Sequence, residues 1–323
     1  MQRADDPPLS APDGPRFFRR YDGVRWEDVP ELQRPVPSNI TETGDSPVRV
    51  SFRIAWAGRC GVALLSLSNS AIIRSGPTVG LMSLVLPILP RSSRLFWNGA
   101  PVGNGHVINT AGAPISWSLQ GSCTLLALTV SASDPAAGSA SEDEYSSYLR
   151  DDVHVLPDRQ RRHLSEFAKR TLVLAERDPD WETSIDVRVM HAGLSILVFD
   201  ALSAFKGVPR PLGFQAQQRQ RFRELLALFD QDVQSLDDLS KRLAVSKRTL
   251  NYVCKEFFGL APIEVLRLWR LYAVRRTLRQ NRDRRDAVWK IAADFGFWHP
   301  RRFSAMYKQQ FGESPSQTLR NTD

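Results

Sequence analysis

Residues 286–320 read DAVWKIAADFGFWHPRRFSAMYKQQFGESPSQTLR, and this stretch decides how the rest of the chain is interpreted. Before a turn at Gly296, apolar residues follow the spacing of one helix face: Val288, Ile291, Ala292 and Phe295. A second run then buries Phe303, Met306, Tyr307 and Phe311, and its outer face carries Arg301, Arg302, Ser304, Ala305 and Lys308. This pattern predicts two short helices joined by a tight turn, the second with cations suited to a duplex major groove.

The same pattern occurs earlier, in SLDDLSKRLAVSKRTLNYVCKEFFGLAP at Ser235–Pro262. A capping position, a buried residue, a glycine and a proline recur at equal spacing: Ser246, Leu250, Gly259 and Pro262, then His299, Phe303, Gly312 and Pro315. The duplication predicts two helix-turn-helix units, near 236–258 and 287–311. Between the two units, the sequence predicts a connecting helix from Pro262 to about Gln280, which would be roughly 28 Å long. This length is close to the ~34 Å between successive major-groove openings on one face of B-DNA.

Residues from about 219 to 320 resemble the DNA-binding region of the AraC/XylS family of bacterial transcription regulators, through SKRTLNYVCKEFFGLAP, RLYAVRRTL and IAADFGFWHPRRFSAMYKQQFGESPSQ. Within the family, GFWHPRRFSAMYKQQFGESPSQTLR is similar to the subgroup that contains the ethanolamine-operon regulator. The resemblance implies a ligand-responsive activator that binds a double-stranded DNA operator and contacts RNA polymerase.

Exposed polar residues of the two second helices are the candidate DNA contacts. Arginine can bond guanine and asparagine can bond adenine in a bidentate way, so the predicted base-reading set is Arg248, Asn251, Tyr252, Arg301 and Arg302. A second set of residues is better suited to contact phosphates: Lys247, Lys255, His299, Ser304 and Lys308. Phosphate contacts position the protein on the duplex without reading its sequence. For His299 we favour a capping or phosphate role over a metal-binding role.

The charge distribution points to the same part of the chain. Residues 1–213 contain 22 basic and 23 acidic residues, whereas residues 214–323 contain 21 basic and 12 acidic residues. The net charge of +8 therefore comes from the last third, which predicts a polyanionic partner for that part alone.

Taken over all 323 residues, the sequence predicts an α+β chain. An N-terminal β-barrel or sandwich-like domain is followed by helices, and then by an all-α C-terminal domain. Residues 1–16 are expected to be a disordered tail, and 206–216, which contain KGVPRPLGF, a linker. The predicted effector-binding or dimerisation domain spans 17–205, with β-rich patterning to about 130, and the DNA-binding domain spans 217–321. The helices before residue 205 either form a dimerisation face or cap the barrel.

Aromatic residues of the first domain give a speculative effector pocket: Trp56, His106 and Trp117. No metal site or cofactor is predicted, because the segment GNGHVIN lacks the His-x-His of a cupin metal site and the cysteines lack CxxC spacing. Cys60, Cys123 and Cys254 are typical of reduced cytosolic thiols. No secretion signal or membrane-spanning run is evident, so a cytoplasmic location is predicted.

These observations favour a sequence-specific, ligand-responsive transcription regulator, acting as an activator, that reads two successive major-groove segments per monomer. The predicted partners are a DNA operator, a small effector, RNA polymerase and a second copy of the chain. Two alternatives stay open. One is a DNA-repair alkyl-transfer enzyme that uses the same DNA-binding module, and the other is an architectural DNA binder without an effector.

Overall fold

The structure is a computed structural model. It describes residues 16–26, 38–44, 46–58, 60–76, 81–111, 115–131, 152–184, 187–203, 214–228, 233, 235–280 and 287–320. Nearly all of the predicted tail (1–16) and most of the predicted linker (206–216) lie outside the described residues.

The N-terminal domain consists of two antiparallel sheets. Its strands are β1 Arg16–Val24, β2 Ser38–Glu42, β3 Val50–Ala57, β4 Cys60–Leu67, β5 Ala71–Ser75, β6 Leu81–Ile88, β7 Arg94–Trp97, β8 Ala100–Val102, β9 His106–Ala111, β10 Ile115–Gln120, β11 Cys123–Ser131 and β12 Asp152–Val155. The larger sheet has the order β1-β3-β4-β11-β6-β9-β12, and the smaller has the order β2-β5-β10-β7-β8.

The larger sheet is covered on both faces along the second half of β3, where residues 54–57 are all apolar and buried. Phe52, Ile54 and Trp56 alternate along the strand and pack into the core between the two sheets. Ala55 and Ala57 point to the opposite face, which is covered by helices. Successive side chains of a strand point to opposite faces, so both sets are buried.

The helices follow the last strand. They are α1 Asp158–Arg177, α2 Trp181–Ser184, α3 Val187–Ser203, α4 Phe214–Ala227, α5 Leu236–Arg242, α6 Lys247–Phe258, α7 Pro262–Gln280, α8 Ala287–Asp294, α9 Pro300–Phe311 and α10 Pro315–Arg320. Helices α1 and α3 lie on the outer face of the larger sheet, where Leu164, Leu172, Leu194 and Val198 are buried against it. These two helices therefore cap the sheet with one face.

The C-terminal domain contains two helix-turn-helix units, α5–α6 and α8–α9, joined by the connecting helix α7. The first half of α7 contributes Val265, Leu266 and Trp269 to the core of the first unit. The second half contributes Leu271, Val274 and Leu278 to the core of the second unit. The predicted fold class is confirmed: a β-rich domain with following helices, and an all-α domain of two units around a long helix. Within the described ranges, no helix combines the length and apolar character needed to cross a membrane.

Candidate functional site

Helix α6 is the second helix of the first unit, and its start and end follow from its sequence. The Ser246 hydroxyl caps it by accepting the Thr249 N–H at 3.1 Å. Gly259 ends it at φ 72°, a left-handed conformation that favours glycine. Its buried residues are Leu250, Val253, Cys254, Phe257 and Phe258, and its exposed face carries Lys247, Arg248, Asn251, Tyr252 and Lys255.

Helix α9 repeats this arrangement in the second unit. His299 occupies the N-cap position without a side-chain capping bond, and Pro300 takes the first helical position, where its missing N–H costs nothing. The buried residues are Phe303, Tyr307 and Phe311, and the exposed residues include Arg301, Arg302, Ser304, Ala305 and Lys308. The predicted DNA contacts of each unit thus share one exposed helix face.

The two exposed faces differ in how their cations are partnered. In the first unit, Lys247 Nζ lies 2.7 Å from Asp237 Oδ1, and this ammonium group holds the pKa of the Asp237 carboxyl below its usual range. In the second unit, Arg301, Arg302 and Lys308 form no ion pair with any described residue. The second unit therefore has more unneutralised positive charge on its predicted DNA-facing helix.

The turns inside the two units have matching hydrogen bonds. Val245 N–H donates to Ser240 O at 3.0 Å, and Phe297 N–H donates to Ala292 O at 3.0 Å. This is the long bond of a Schellman motif, whose preceding residue adopts a left-handed conformation. That residue is Gly296 in the second unit, with φ 81°, but Ala244 in the first, with φ 50°.

Ala244→Gly is expected to raise the free energy of unfolding of the first unit by about 0.5–1 kcal/mol, since glycine adopts positive φ without a Cβ clash. The reciprocal change, Gly296→Ala, should lower the stability of the second unit by about 1 kcal/mol or more, because its added Cβ would also lie 3.3 Å from Arg270 Nη1. Thermal melts of both variants check the pair. A destabilised Ala244→Gly protein would contradict the expectation.

A buried polar network fixes the end of the second unit to the connecting helix. Arg275 Nη2 donates to Glu313 Oε1 at 3.0 Å, and the Arg275 guanidinium lies 4.6 Å from the ring centre of Phe311. Thr318 Oγ1 donates to the same Glu313 oxygen at 2.8 Å and accepts the Tyr307 hydroxyl at 2.9 Å. Because Tyr307 belongs to α9, the network sets how this helix sits on α7.

The N-terminal domain contacts the last turns of both α6 and α9. Gln120 Nε2 donates to Glu256 O at 2.6 Å, close to the end of α6. Arg25 Nη1 donates to Phe311 O at 3.0 Å, at the end of α9. The last four carbonyls of a helix have no partner within it, so these side chains supply donors that the helices lack. Both predicted reading helices are thereby attached to one domain.

Three further contacts strengthen this attachment. Glu42 N–H donates to the Tyr272 hydroxyl of α7 at 2.8 Å, and Gln310 Nε2 donates to Glu42 O at 3.0 Å. On the side of the first unit, the Phe96 ring of β7 meets the Phe257 ring edge-on at a centroid distance of 5.2 Å. The contacts join residues far apart in sequence, and sequence patterning gave no signal for them.

A cavity of about 120 Å³ lies between the two sheets. Among the predicted effector residues, Trp56 and Trp117 line it, whereas His106 does not, because its Nδ1 accepts the Gly103 N–H at 3.0 Å in the turn before β9. The lining also includes Phe52, Trp26 and Trp97, the last stacked on Trp117 at a centroid distance of 5.8 Å. The inward alternation of β3 is the sequence signal that points to Phe52.

The chemistry of the cavity is apolar. Its described lining contains no charged side chain, and its polar side chains are serines, threonines and tryptophans. The buried indole N–H of Trp97 has no hydrogen-bond acceptor among the described residues. A buried donor without a partner costs free energy, and an acceptor within reach of this N–H would offset that cost.

The cysteines are all buried. Burial raises the pKa of Cys123 and of Cys254 to about 12, so both thiols are protonated near neutral pH. Such thiols are poor nucleophiles. Within the part of the chain that the structure describes, no group of three or more His, Cys, Asp and Glu side chains is placed to hold a metal ion.

A family model of known proteins matches the part of the chain that contains the two units. Residues 239–321 match the family model described as "Helix-turn-helix domain". This segment is a helix-turn-helix domain. The XylDLEGF operon transcriptional activator 2 of Pseudomonas putida is 30% identical over 101 residues, which cover 30% of this chain and 64% of that protein.

Two further proteins are similar to this chain. The probable thc operon regulatory protein of Rhodococcus erythropolis is 34% identical over 82 residues, or 25% of each chain. A crystal structure of the AraC-like transcriptional activator CuxR overlaps 87% of this chain and 98% of that one, with a TM-score of 0.41 and 12% identity. The chain spans under two thirds of the length of these two curated relatives, 64% of the first and 25% of the second.

Proposed function

We propose that this chain is a transcription regulator of the AraC/XylS family, which binds double-stranded DNA with both helix-turn-helix units and responds to a small ligand bound in the first domain. The observation that carries the proposal is the duplication. Two units of the same construction each present an exposed polar helix, and relatives that match part of this chain are named as an operon transcriptional activator and a probable operon regulatory protein. The narrower resemblance to the ethanolamine-operon regulator stays a prediction.

The test of DNA binding is a selection from random duplexes with the full-length chain, followed by footprinting of the enriched sites. We expect a bipartite site whose two halves lie about one helical turn, roughly 34 Å, apart on one face of the duplex. An activator would also require contact with RNA polymerase, which in vitro transcription from a selected site tests. Failure to enrich any sequence would refute the sequence-specific reading.

Arg301→Ala is expected to weaken binding to the selected site by about 1–3 kcal/mol if the guanidinium reads a base. The loss should be restricted to the half-site that faces α9, since Arg301 is exposed on that helix. Lys308→Ala provides the matched comparison, because a phosphate contact weakens all duplexes about equally and reduces the salt dependence. Unchanged affinity and footprint for Arg301→Ala would contradict base reading.

The cavity between the sheets supports a small apolar effector. Its volume of about 120 Å³ is similar to that of engineered cavities of ~150 Å³ that bind benzene. The uncharged lining disfavours carboxylates and phosphates, while the Trp97 indole favours a ligand with one hydrogen-bond acceptor. Ligand binding would act on DNA affinity through linkage, by changing how the attached units are presented. Screening small aromatic alcohols, ethers and ketones by thermal shift tests this part.

Dimerisation belongs to the proposal as well. Helix α3 buries one face against the larger sheet, whereas its opposite face exposes Val189 and Ile196, seven residues apart and each more than two thirds exposed. An apolar strip of this kind suits a second copy of the helix. Light scattering of the full-length chain measures the mass in solution. We expect a cytoplasmic location for a regulator of this kind.

The two alternatives have less support. An alkyl-transfer enzyme needs an exposed, activated thiolate, and the three cysteines are buried, two of them with raised pKa values. An architectural binder needs no cavity, so the absence of any ligand that stabilises the first domain would favour it.

A further inference from the structure

An open cleft of about 300 Å³ lies between the first half of the connecting helix α7 and the start of α9. Helix α7 contributes Ile263 and Arg267 to its walls, and α9 contributes Arg302. The turn before α9 contributes Trp298, a residue that is 70% exposed. The start of a recognition helix is the end that approaches base edges in helix-turn-helix complexes. The cleft therefore adjoins the predicted DNA-facing surface, on the side toward the first unit.

The cleft has the charge of an anion site. Its described lining includes three arginines and one histidine but no carboxylate. Arg267 and Arg302 are exposed, and neither forms a hydrogen bond or ion pair with another described residue. Arg270 is different, because its Nη2 lies 3.5 Å from Val233 O and it is only partly exposed. Arg270 thus ties α7 to the segment before α5, which leaves Arg267 and Arg302 for a ligand.

Apolar groups border these cations. Trp298 and Ile263 are large, exposed side chains at the edge of the same cleft. Exposed apolar groups beside arginines suit a ligand that alternates charged and apolar parts. The DNA backbone is such a ligand, because each phosphate is followed by a deoxyribose with an apolar face.

We propose that this cleft binds the sugar-phosphate backbone of the DNA segment between the two major-groove sites, with Arg267 and Arg302 on phosphates and Trp298 packed on deoxyribose. This proposal moves Arg302 from the predicted base-reading set to the phosphate contacts and leaves Arg301 as the base-reading arginine of α9. The inference rests on the proposed DNA binding and adds a third contact region, supplied by the connecting helix. The contact reads no base. It holds the duplex against the protein between the two reading helices.

The experiment measures the affinity of full-length variants for a selected duplex as a function of salt concentration. Arg267→Gln is expected to weaken binding about tenfold at moderate salt and to reduce the slope of log K against log salt by about 0.9. Arg276→Gln is the matched control. It removes the same charge from an exposed position of the same helix, nine residues or about 2.5 turns away, on the opposite face.

Two further measurements complete the test. Ethylation of phosphates between the half-sites should interfere with binding of the unmodified chain and of Arg276→Gln. In Arg267→Gln the interference should disappear at the phosphate that Arg267 contacts and persist at the phosphate that Arg302 contacts. Trp298→Ala should weaken binding about fivefold without changing the salt slope. Equal melting temperatures would show that the variants fold.

The outcomes separate this inference from the proposed function. If the unmodified chain binds a selected duplex and Arg267→Gln has the same salt slope and interference pattern as Arg276→Gln, the backbone contact is wrong while DNA binding stands. If the unmodified chain enriches no duplex, both proposals fall.

Discussion

Glu313→Ala is expected to lower the free energy of unfolding of the second helix-turn-helix unit by about 3 kcal/mol. The substitution removes the carboxylate that accepts from Arg275 and Thr318, and the guanidinium of Arg275, a residue only 8% exposed, loses its ion pair with Glu313. Removing one member of a buried pair costs more than the pair contributes, because the remaining charge stays desolvated. Hydrogen exchange of peptides that cover residues 300–320 localises the loss.

Glu313→Gln serves as the control for this expectation. Glutamine keeps an oxygen that can accept from Arg275 and Thr318 but carries no charge, so the loss should be clearly smaller than that of alanine. DNA binding by the alanine variant should fail first at the half-site that α9 reads, because the network holds Tyr307 of that helix. A loss below about 1 kcal/mol for alanine would show that the network is solvated and contributes little.

Gly61→Ala is expected to abolish ligand binding in the first domain. Gly61 of β4 lies opposite Trp56 of β3, and an added Cβ would overlap the Trp56 indole and lie 2.9 Å from Ala55 O. Both residues are held by strand pairing, so the backbone has little room to move and the indole must turn away. Because Trp56 lines the 120 Å³ cavity, the displaced ring would occupy or reshape the ligand's space. Overpacking should also cost about 1–3 kcal/mol of stability.

The measurement compares the thermal shift produced by a saturating small aromatic ligand from the screen in the original chain and in the variant. Gly105→Ala is the matched control, since a Cβ added there meets nothing within 4 Å. We expect the control to keep the full shift. If Gly61→Ala also kept the full thermal shift, the ligand would bind outside this cavity.

The C-terminal domain could be predicted from sequence because its structure follows from local signals. The serine caps, the glycines at the ends of α6 and α9, and the proline at the start of α7 all act within a few residues of where they occur. The roles assigned to Arg248, Asn251 and the other exposed residues stay predictions. Whether an exposed side chain reads a base depends on a duplex that the sequence does not describe.

For the first domain, the sequence could predict the fold class but not the strand pairing or the long-range contacts. Alternating apolar residues indicate strands, but they do not say that β12 pairs with β9 across more than forty residues, or that Arg25 reaches Phe311. Such contacts depend on how whole elements pack, which a local period does not encode. The same limit explains His106. An imidazole suits a pocket, whereas the place of His106 at the start of β9, directly after a turn, binds it to Gly103 instead.

The attachment of α6 and α9 to a single domain has a consequence for the DNA that this chain would accept. Gln120 and Arg25 hold the ends of the two helices to one β-rich body, so the helices cannot rotate independently while both bonds persist. One extra base pair between the half-sites would turn the second by about 34–36° and shift it by roughly 3.4 Å. A rigid pair of readers cannot follow that change. The protein would then select operators by the number of base pairs between the half-sites as well as by the bases within them.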